Sequence, residues 1–571
     1  MLVMTLMYSL LAIIIFICKS IFLRNKKQIL ISLSILLLEI LLIFIFVYFL
    51  LPSRNLLSLL LGNAIFGGIF LILNLFIGNF DDDIRRGKLW VNKSFSIGLS
   101  VVMVILLIAV GGELHSILSV KPTYNSISVK KVSSKQAPTF KRGETPVALA
   151  PKTVLNRVRK AVSDLPNSQY YKIAGTVQAQ YIHGKAVYIV PVEYQGFFAM
   201  MKAKNIPGYF MIDATSQNAT PKFIKKPYKY TTSAYFKRDA ERQLYRNNPQ
   251  WLKLGDGGAQ LEIDNNGNPY WVETVYKSEF LSHRINYKKL RVIVMNAVTG
   301  KTKTYKLSNL PKFVDEGITS DVAAEMNSNY GSYKHGFWNR FLGKTDMEEP
   351  TNNGPEDGVT SIFNENGTIS YFTDFTNPNT KSDSALGYSM INARTGELTY
   401  YKANGIMDSS GAKSNANQNY KAQQWTANMP ILYNVDGRPT WIMTILDKTH
   451  AIRGYYYLDA EDQSIYGTGS SPISALDDFR QALVNSGAKA SNTPNSNLKQ
   501  ITGTVDRVAI VSNKNKVMFT LKDSQIVYTI DTDDFAKANL LRSGDNVGFK
   551  ANIVNGQSIG NVTKFTNHNL K

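Results

Sequence analysis

The sequence predicts an all-α membrane anchor of four transmembrane helices, then an α+β ectodomain of repeated helix/β-hairpin units, then a small β-barrel. Three observations carry this reading. Four apolar stretches fill the first 117 of 571 residues, four glycine-turned hairpins recur in the middle, and five short alternating strands close the chain.

A membrane-spanning helix needs about 20 mostly apolar residues. Residues 2–23, 29–51, 56–80 and 94–112 qualify. The first run is too long for a signal peptide and a second span follows at once, so it is expected to be retained. Lysine and arginine in the short loops set orientation. Loop one carries Arg24, Lys26 and Lys27, loop three (81–93) carries Arg85, Arg86, Lys88 and Lys93, and loop two only Arg54. Loops one and three are therefore expected inside and both termini outside, with Trp90 as an interfacial anchor. Cys18, the single cysteine, lies in the first span. An exported domain without disulfides must hold together by packing alone, a habit that fits a bacterial envelope.

Glu39 falls near the middle of the second span, where a charge is costly and marks function by default. Its depth lies between Asn63 and Asn74 of the third span. A glutamate bonded to either amide would clamp two helices together; proton or ion traffic is the competing reading.

Charge is unevenly placed. Residues 118–253 hold 23 Lys/Arg against 6 Asp/Glu, a net of +17, whereas 254–571 is neutral with 32 of each. Lys222, Lys225, Lys226 and Lys229 precede Lys237, Arg238, Arg242 and Arg246, and the last three recur every four residues, which predicts one helix face. Such a surface attracts anionic lipid head groups, wall polymers or nucleic acid; a solvated surface without a ligand is the bland alternative. Residues 118–152, rich in Lys, Ser, Thr and Pro, read as a basic stalk.

Beyond the stalk come QYIHGKAVYIV, EIDNNGNPYWVETV, SIFNENGTISYFTDF and LYNVDGRPTWIMTI, each with a tight glycine turn between apolar runs. Four residues after the turn glycines Gly184, Gly267, Gly367 and Gly437 stand Tyr188, Trp271, Tyr371 and Trp441. A further strand follows in each, ending in Asp or Asn and then Ala: YFMIDA, VIVMNA, YSMINA and YYYLDA. Helical stretches precede the hairpins at 153–165, 233–245, 321–328 and within 406–420. The aromatics are expected to pack under the helices, the alternative being an exposed row lining a groove. Units one and two are expected over 153–318, and units three and four over 319–487.

In their helix, hairpin and closing strand, as in MNAVTGKTKTYKL and INARTGELTYYKA, these units resemble PepSY domains. The resemblance covers about 151–485, and the first and last copies lack the Thr-Gly turn. It implies a binding or restraining role, towards a peptidase or as an envelope interaction part, and not chemistry.

After a linker at 488–499, residues 500–571 carry five strands with a helix between the third and fourth, a pattern that resembles an OB-fold. Phe519, Tyr528 and Phe549 are the rings available for stacking on single-stranded nucleic acid or sugars, and they suit the barrel core equally.

No motif supplies chemistry. The six histidines show no metal-ligand spacing, and phosphate loops and nucleophile elbows are absent. Asp264-Asn-Asn-Gly-Asn places its glycine wrongly for a calcium loop and reads as a turn. The expectation is a non-enzymatic, cofactor-free envelope protein that binds an extracellular protein or an anionic wall polymer. A transport or channel component with an accessory ectodomain, and an exported nucleic-acid binder of DNA uptake or transfer, are the alternatives.

Overall fold

A computed structural model describes residues 1–22, 26–75, 93–133, 149–279, 281–378, 383–436, 438–486, 497–511, 516–532, 535–553 and 559–570. Arg24, Arg85, Arg86, Lys88, Trp90 and Gly437 lie outside them.

Among the described residues, three helices, Lys26–Leu50, Leu56–Asn74 and Ser96–Leu118, are long and apolar enough to cross a membrane. The pair Leu2–Tyr8 and Leu10–Ile21 makes a fourth if counted as one span, but it bends by 60°. The continuous first span expected from sequence is thus broken, and Asn63 gives the reason. Leu11 N–H donates to Asn63 Oδ1 at 2.9 Å, and Asn63 Nδ2 donates to Met7 O at 2.8 Å. The amide bridges a donor and acceptor that an unbroken helix would join directly. Polar backbone freed in a membrane needs such a partner. Close approach is possible because Gly62 and Gly67 lack side chains: a Cβ on Gly62 would stand 2.4 Å from the Tyr8 ring, and one on Gly67 would stand 2.7 Å from Leu11.

The middle of the chain forms four sheets, each built on an antiparallel core of one pattern. The first takes its hairpin from Gln178–Ile182 and Lys185–Tyr194, then adds Tyr209–Asp213 and Lys222–Ile224. The second takes Gln260–Ile263 and Pro269–Tyr276, then Arg291–Asn296 and Thr302–Lys306. The third takes Thr360–Phe363 and Ile369–Thr376, then Ser384–Asn392 and Leu398–Met407. The fourth takes Thr426–Val435 and Arg438–Leu446, then Ile452–Asp459 and Tyr466–Gly469.

The Asp/Asn-Ala ending of each third strand now has a physical cause. Asp213, Asn296, Asn392 and Asp459 each accept, through Oδ1, the backbone N–H groups two and three residues on, at 2.8–3.1 Å. Only a short side chain ending in an acceptor turns the chain this way. The next residue, Ala214, Ala297, Ala393 or Ala460, is buried. Its N–H donates to the carbonyl two residues past the turn position, on Ala186, Pro269, Ile369 or Pro439, at 2.8–3.0 Å. One bond therefore ties the end of the third strand to the start of the second in all four sheets.

Helices Pro151–Lys160, Ala240–Asn247, Ser320–Ser332 and Ser409–Asn419 precede the hairpins, and Pro472–Asn485, which sequence reading missed, follows the fourth sheet. One hydrophobic core runs through the first three units, from Val154 through Trp271 to Tyr371. A second joins Phe372 of the third unit to Trp441 and Phe479 of the fourth. The sequence boundary at 318/319 accordingly marks no break in packing.

The stalk reading is corrected. Residues Lys121–Ser126 are helical, and Val129–Ser133 is a strand that pairs in parallel with Leu398–Met407, Val129 opposite Leu398 and Ser133 opposite Lys402. Its partner lies far along the chain, so no local pattern announces it. Residues 134–148 of the stalk fall outside the described set.

In the last module, Asn497–Val511 pairs with both Lys516–Leu521 and Asn546–Ile553. Lys516–Leu521 pairs with Val527–Asp531, which pairs in parallel with Ile559–Asn567, and that strand returns to Asn546–Ile553. Phe519, Tyr528 and Phe549 are buried against one another.

Tyr188, Trp271, Tyr371 and Trp441 are all buried, so they form no exposed row. Trp441 Nε1 also donates to Met407 O at 3.0 Å. Trp441→Ala should remove about 3–5 kcal/mol. A thermal melt of the purified full-length protein should show a midpoint several degrees lower, and an unchanged midpoint would remove the ring from the core.

Candidate functional site

Of the predicted cationic cluster, the part on helix Ala240–Asn247 lies where the C-terminal domain meets the apolar N-terminal helices. Asp239 caps helix Ala240–Asn247, accepting Arg242 N–H through Oδ1 at 3.1 Å. That cap starts the helix at Ala240, so Arg238 falls in the preceding turn, Phe236–Arg238. The single arginine face expected from the spacing is corrected accordingly. Arg238 donates to the Lys204 carbonyl instead.

Arg242 is spoken for within the chain. Its Nε donates to Tyr48 O at 3.0 Å, its Nη1 donates to Phe236 O at 2.9 Å, and Asp239 pairs with it at 3.1 Å. The guanidinium also stands 4.5 Å from the centre of the Tyr48 ring. Beside it, Tyr245 OH donates to Pro52 O at 2.9 Å, and Arg54 stacks on the Tyr245 ring at 3.6 Å. These contacts fasten the helix to the end of the second span. Lys222, Lys225, Lys229, Lys237 and Arg246 remain exposed, while Lys226 is half-buried.

A second fastening was invisible in sequence. His283 N–H donates to Ser116 Oγ at 3.1 Å, and its ring bridges Asn55 and Glu113. The Asn55 amide nitrogen can only donate, so Nδ1 accepts, leaving Nε2–H to face Glu113 Oε1 at 2.8 Å. Three residues from the ends of the third and fourth spans therefore converge on one loop of the second unit. Glu113, an acid in an apolar stretch, was the available hint.

Within the membrane helices the expected Glu39 clamp is not formed. Asn63 is committed to the first helix pair. Asn74 Oδ1 accepts from Ser32 Oγ at 2.5 Å, its amide nitrogen donates to Phe70 O at 2.9 Å, and Lys19 reaches its carbonyl. Glu39 is 6% exposed, and both its carboxyl oxygens lack a hydrogen-bond partner among the described residues. Its neighbours on the same face place it: Leu36 packs with Ala12, and Ile43 with Tyr8. Glu39 thus lies at the level of the break in the first helix pair.

Buried acids gather where the first three units meet. Glu262 accepts the N–H groups of Asp315 and Glu316 at 2.8 and 3.1 Å, and Asp315 accepts Tyr181 N–H at 2.6 Å. Gln178 donates to Glu316, and Ser361 donates to Glu356 at 2.5 Å. Burial raises all four carboxyls, with neighbouring carboxylates adding to the rise at Glu262, Glu316 and Glu356. Asp315 moves to about 6 and Glu356 to about 7, while Glu262 and Glu316 stand well above the usual range. The arrangement can hold protons. Among the described residues no group of three or more His, Cys, Asp or Glu is placed to hold a metal.

No family model matches the chain, and neither does any curated protein. Among solved structures, the Bacillus megaterium YpeB C-terminal domain is similar at 13% identity, over 45% of this chain and 99% of that one, with a TM-score of 0.11. The polysaccharide lyase Uly1 is similar at 11% identity, over 51% of this chain and 46% of that one, with a TM-score of 0.15. Likeness at these scores fixes neither fold nor function.

The acid cluster predicts a pH dependence of definite sign. A carboxyl raised in the folded state binds more protons there than in the unfolded chain, so its stabilising effect is full below the unfolded value near 4.5 and fades as pH rises through the folded value. The thermal midpoint should therefore fall between pH 5 and pH 8. Glu356→Gln should flatten that slope, as read by melts across the range.

Proposed function

We propose that this chain is a non-catalytic, membrane-anchored envelope protein whose ectodomain binds an anionic wall polymer. The observation that carries this is the +17 concentrated in residues 118–253. Of its exposed members, Lys222 lies on the last strand of the first sheet, and Lys225 and Lys229 follow it. Exposed lysines present point charges to a flexible polyanion without requiring a shaped pocket, and binding follows counterion release. The recurring helix, hairpin and closing strand support reading 151–485 as PepSY-like interaction units. In the last module, the pairing of the first strand with the second and fourth, and of the third with the fifth, supports an OB-like barrel at the tip. Lysine and arginine in the first and third loops support placing this domain outside.

The test is binding of full-length protein to teichoic-acid-like polymer at increasing salt. Wild type should bind at low ionic strength and release steeply as salt rises. Lys222→Glu with Lys225→Glu and Lys229→Glu should weaken binding at least several-fold. Absence of binding by wild type at low salt would sink the proposal and turn attention to a protein partner.

A transport component is the second reading, favoured by the unpartnered Glu39 at the level of a broken helix. In sealed vesicles, Glu39→Gln should abolish any proton or cation flux that the wild-type protein supports. Equal flux in both would exclude Glu39 from the path.

A further inference from the structure

An apolar patch beside the Arg242 fastening is left uncovered among the described residues. Phe198 is 79% exposed, Met201 61%, Phe236 47% and Tyr235 42%. Phe197 gathers the rings into one surface, with centroids 5.4 Å from Phe198, 5.4 Å from Tyr235 and 5.9 Å from Phe236. Single exposed apolar residues are ordinary, but a contiguous cluster marks an interaction site.

The height of the patch says what it meets. Arg242 donates to Phe236 O and to Tyr48 O from the same guanidinium, at 2.9 and 3.0 Å. Phe236 is therefore within one side-chain head of the last turn of Lys26–Leu50, a helix apolar enough to span a bilayer. The level reached there is the membrane–water boundary, where aromatic rings are favoured. Phe236 also has φ = 54°, a left-handed conformation unusual for a bulky residue. Arg242 holds that strained carbonyl while the ring stays exposed, which is how backbone strain is retained at working surfaces. Lys202, Lys204 and Lys237 stand exposed around the patch. Apolar rings ringed by lysine match the boundary of a bilayer with anionic head groups.

We infer that helix Phe197–Ala203 and the Tyr235–Phe236 turn form a foot that inserts into the lipid interface, Lys202, Lys204 and Lys237 meeting anionic head groups. This holds independently of any wall polymer, and a different set of lysines is involved. The occupant is lipid because the patch continues from the end of a span, a position that a soluble partner would have to share with the bilayer.

The test uses full-length protein in lipid nanodiscs, with Cys18→Ser as background. Spin labels go onto Phe198→Cys and Met201→Cys, both exposed enough to leave packing intact, with Lys222→Cys as the water-facing reference. Labels at 198 and 201 should be relaxed more by oxygen than by a water-soluble nickel complex, and the reference the other way round. The contrast should grow when phosphatidylglycerol replaces phosphatidylcholine. Nickel-dominated relaxation at both 198 and 201 overturns the inference, and equal contrast in the two lipids overturns its head-group half.

Discussion

The sheets depend on one small bond, from the N–H of a buried alanine to a carbonyl just past the hairpin turn. Ala214, Ala297, Ala393 and Ala460 make it, and each is positioned by the Asp or Asn before it, whose side chain turns the chain as the third strand ends. A larger residue would not fit, because these alanines are 0–1% exposed. With the third strand fixed to the second, the aromatic on the hairpin is carried into the core, and the fourth strand has an edge to pair with. The helices and inter-unit contacts build on sheets closed in this way.

The units join through polar groups as well as through the core. Gln180, fully buried, exchanges hydrogen bonds with the backbone of Ile263 in the second unit, donating at 2.6 Å and accepting at 2.9 Å. Tyr181 OH reaches Asn364 O of the third at 2.8 Å. Their hairpins therefore converge on the zone that also holds Glu262 and Glu316. Burying carboxyls there is tolerable because they remain neutral or accept backbone donors.

What could be read in advance was whatever a few neighbouring residues decide. The hairpins declared themselves because Asn-Gly and related turns are local chemistry, and apolar length declared the membrane helices. Three features escaped because their causes lie elsewhere in the chain. The break after Tyr8 is stabilised by Asn63, the strand at Val129 waits for Leu398, and Arg242 is claimed by Tyr48. Arg238 escaped for a nearer reason: helical spacing was read through Asp239, a residue better suited to capping than to continuing a helix. At the candidate site, the lysines of 222–229 were legible as charge, but the fastening through His283 needed three partners that no single segment contains.

The parallel pairing of Val129–Ser133 with Leu398–Met407 also sets a route for mechanical load. Tension between the N-terminal helices and the C-terminal end of the chain enters at the N-terminal end of the first strand and leaves from the C-terminal end of the second. In a parallel pair those pulls oppose one another along the strand axis, so the ladder is sheared and its bonds resist together instead of opening one by one. Once the docking contacts yield, the first two units, whose sequence lies wholly between the paired strands, form a side loop that carries no tension. The third sheet becomes the coupling, and the fourth unit and terminal module the arm beyond it.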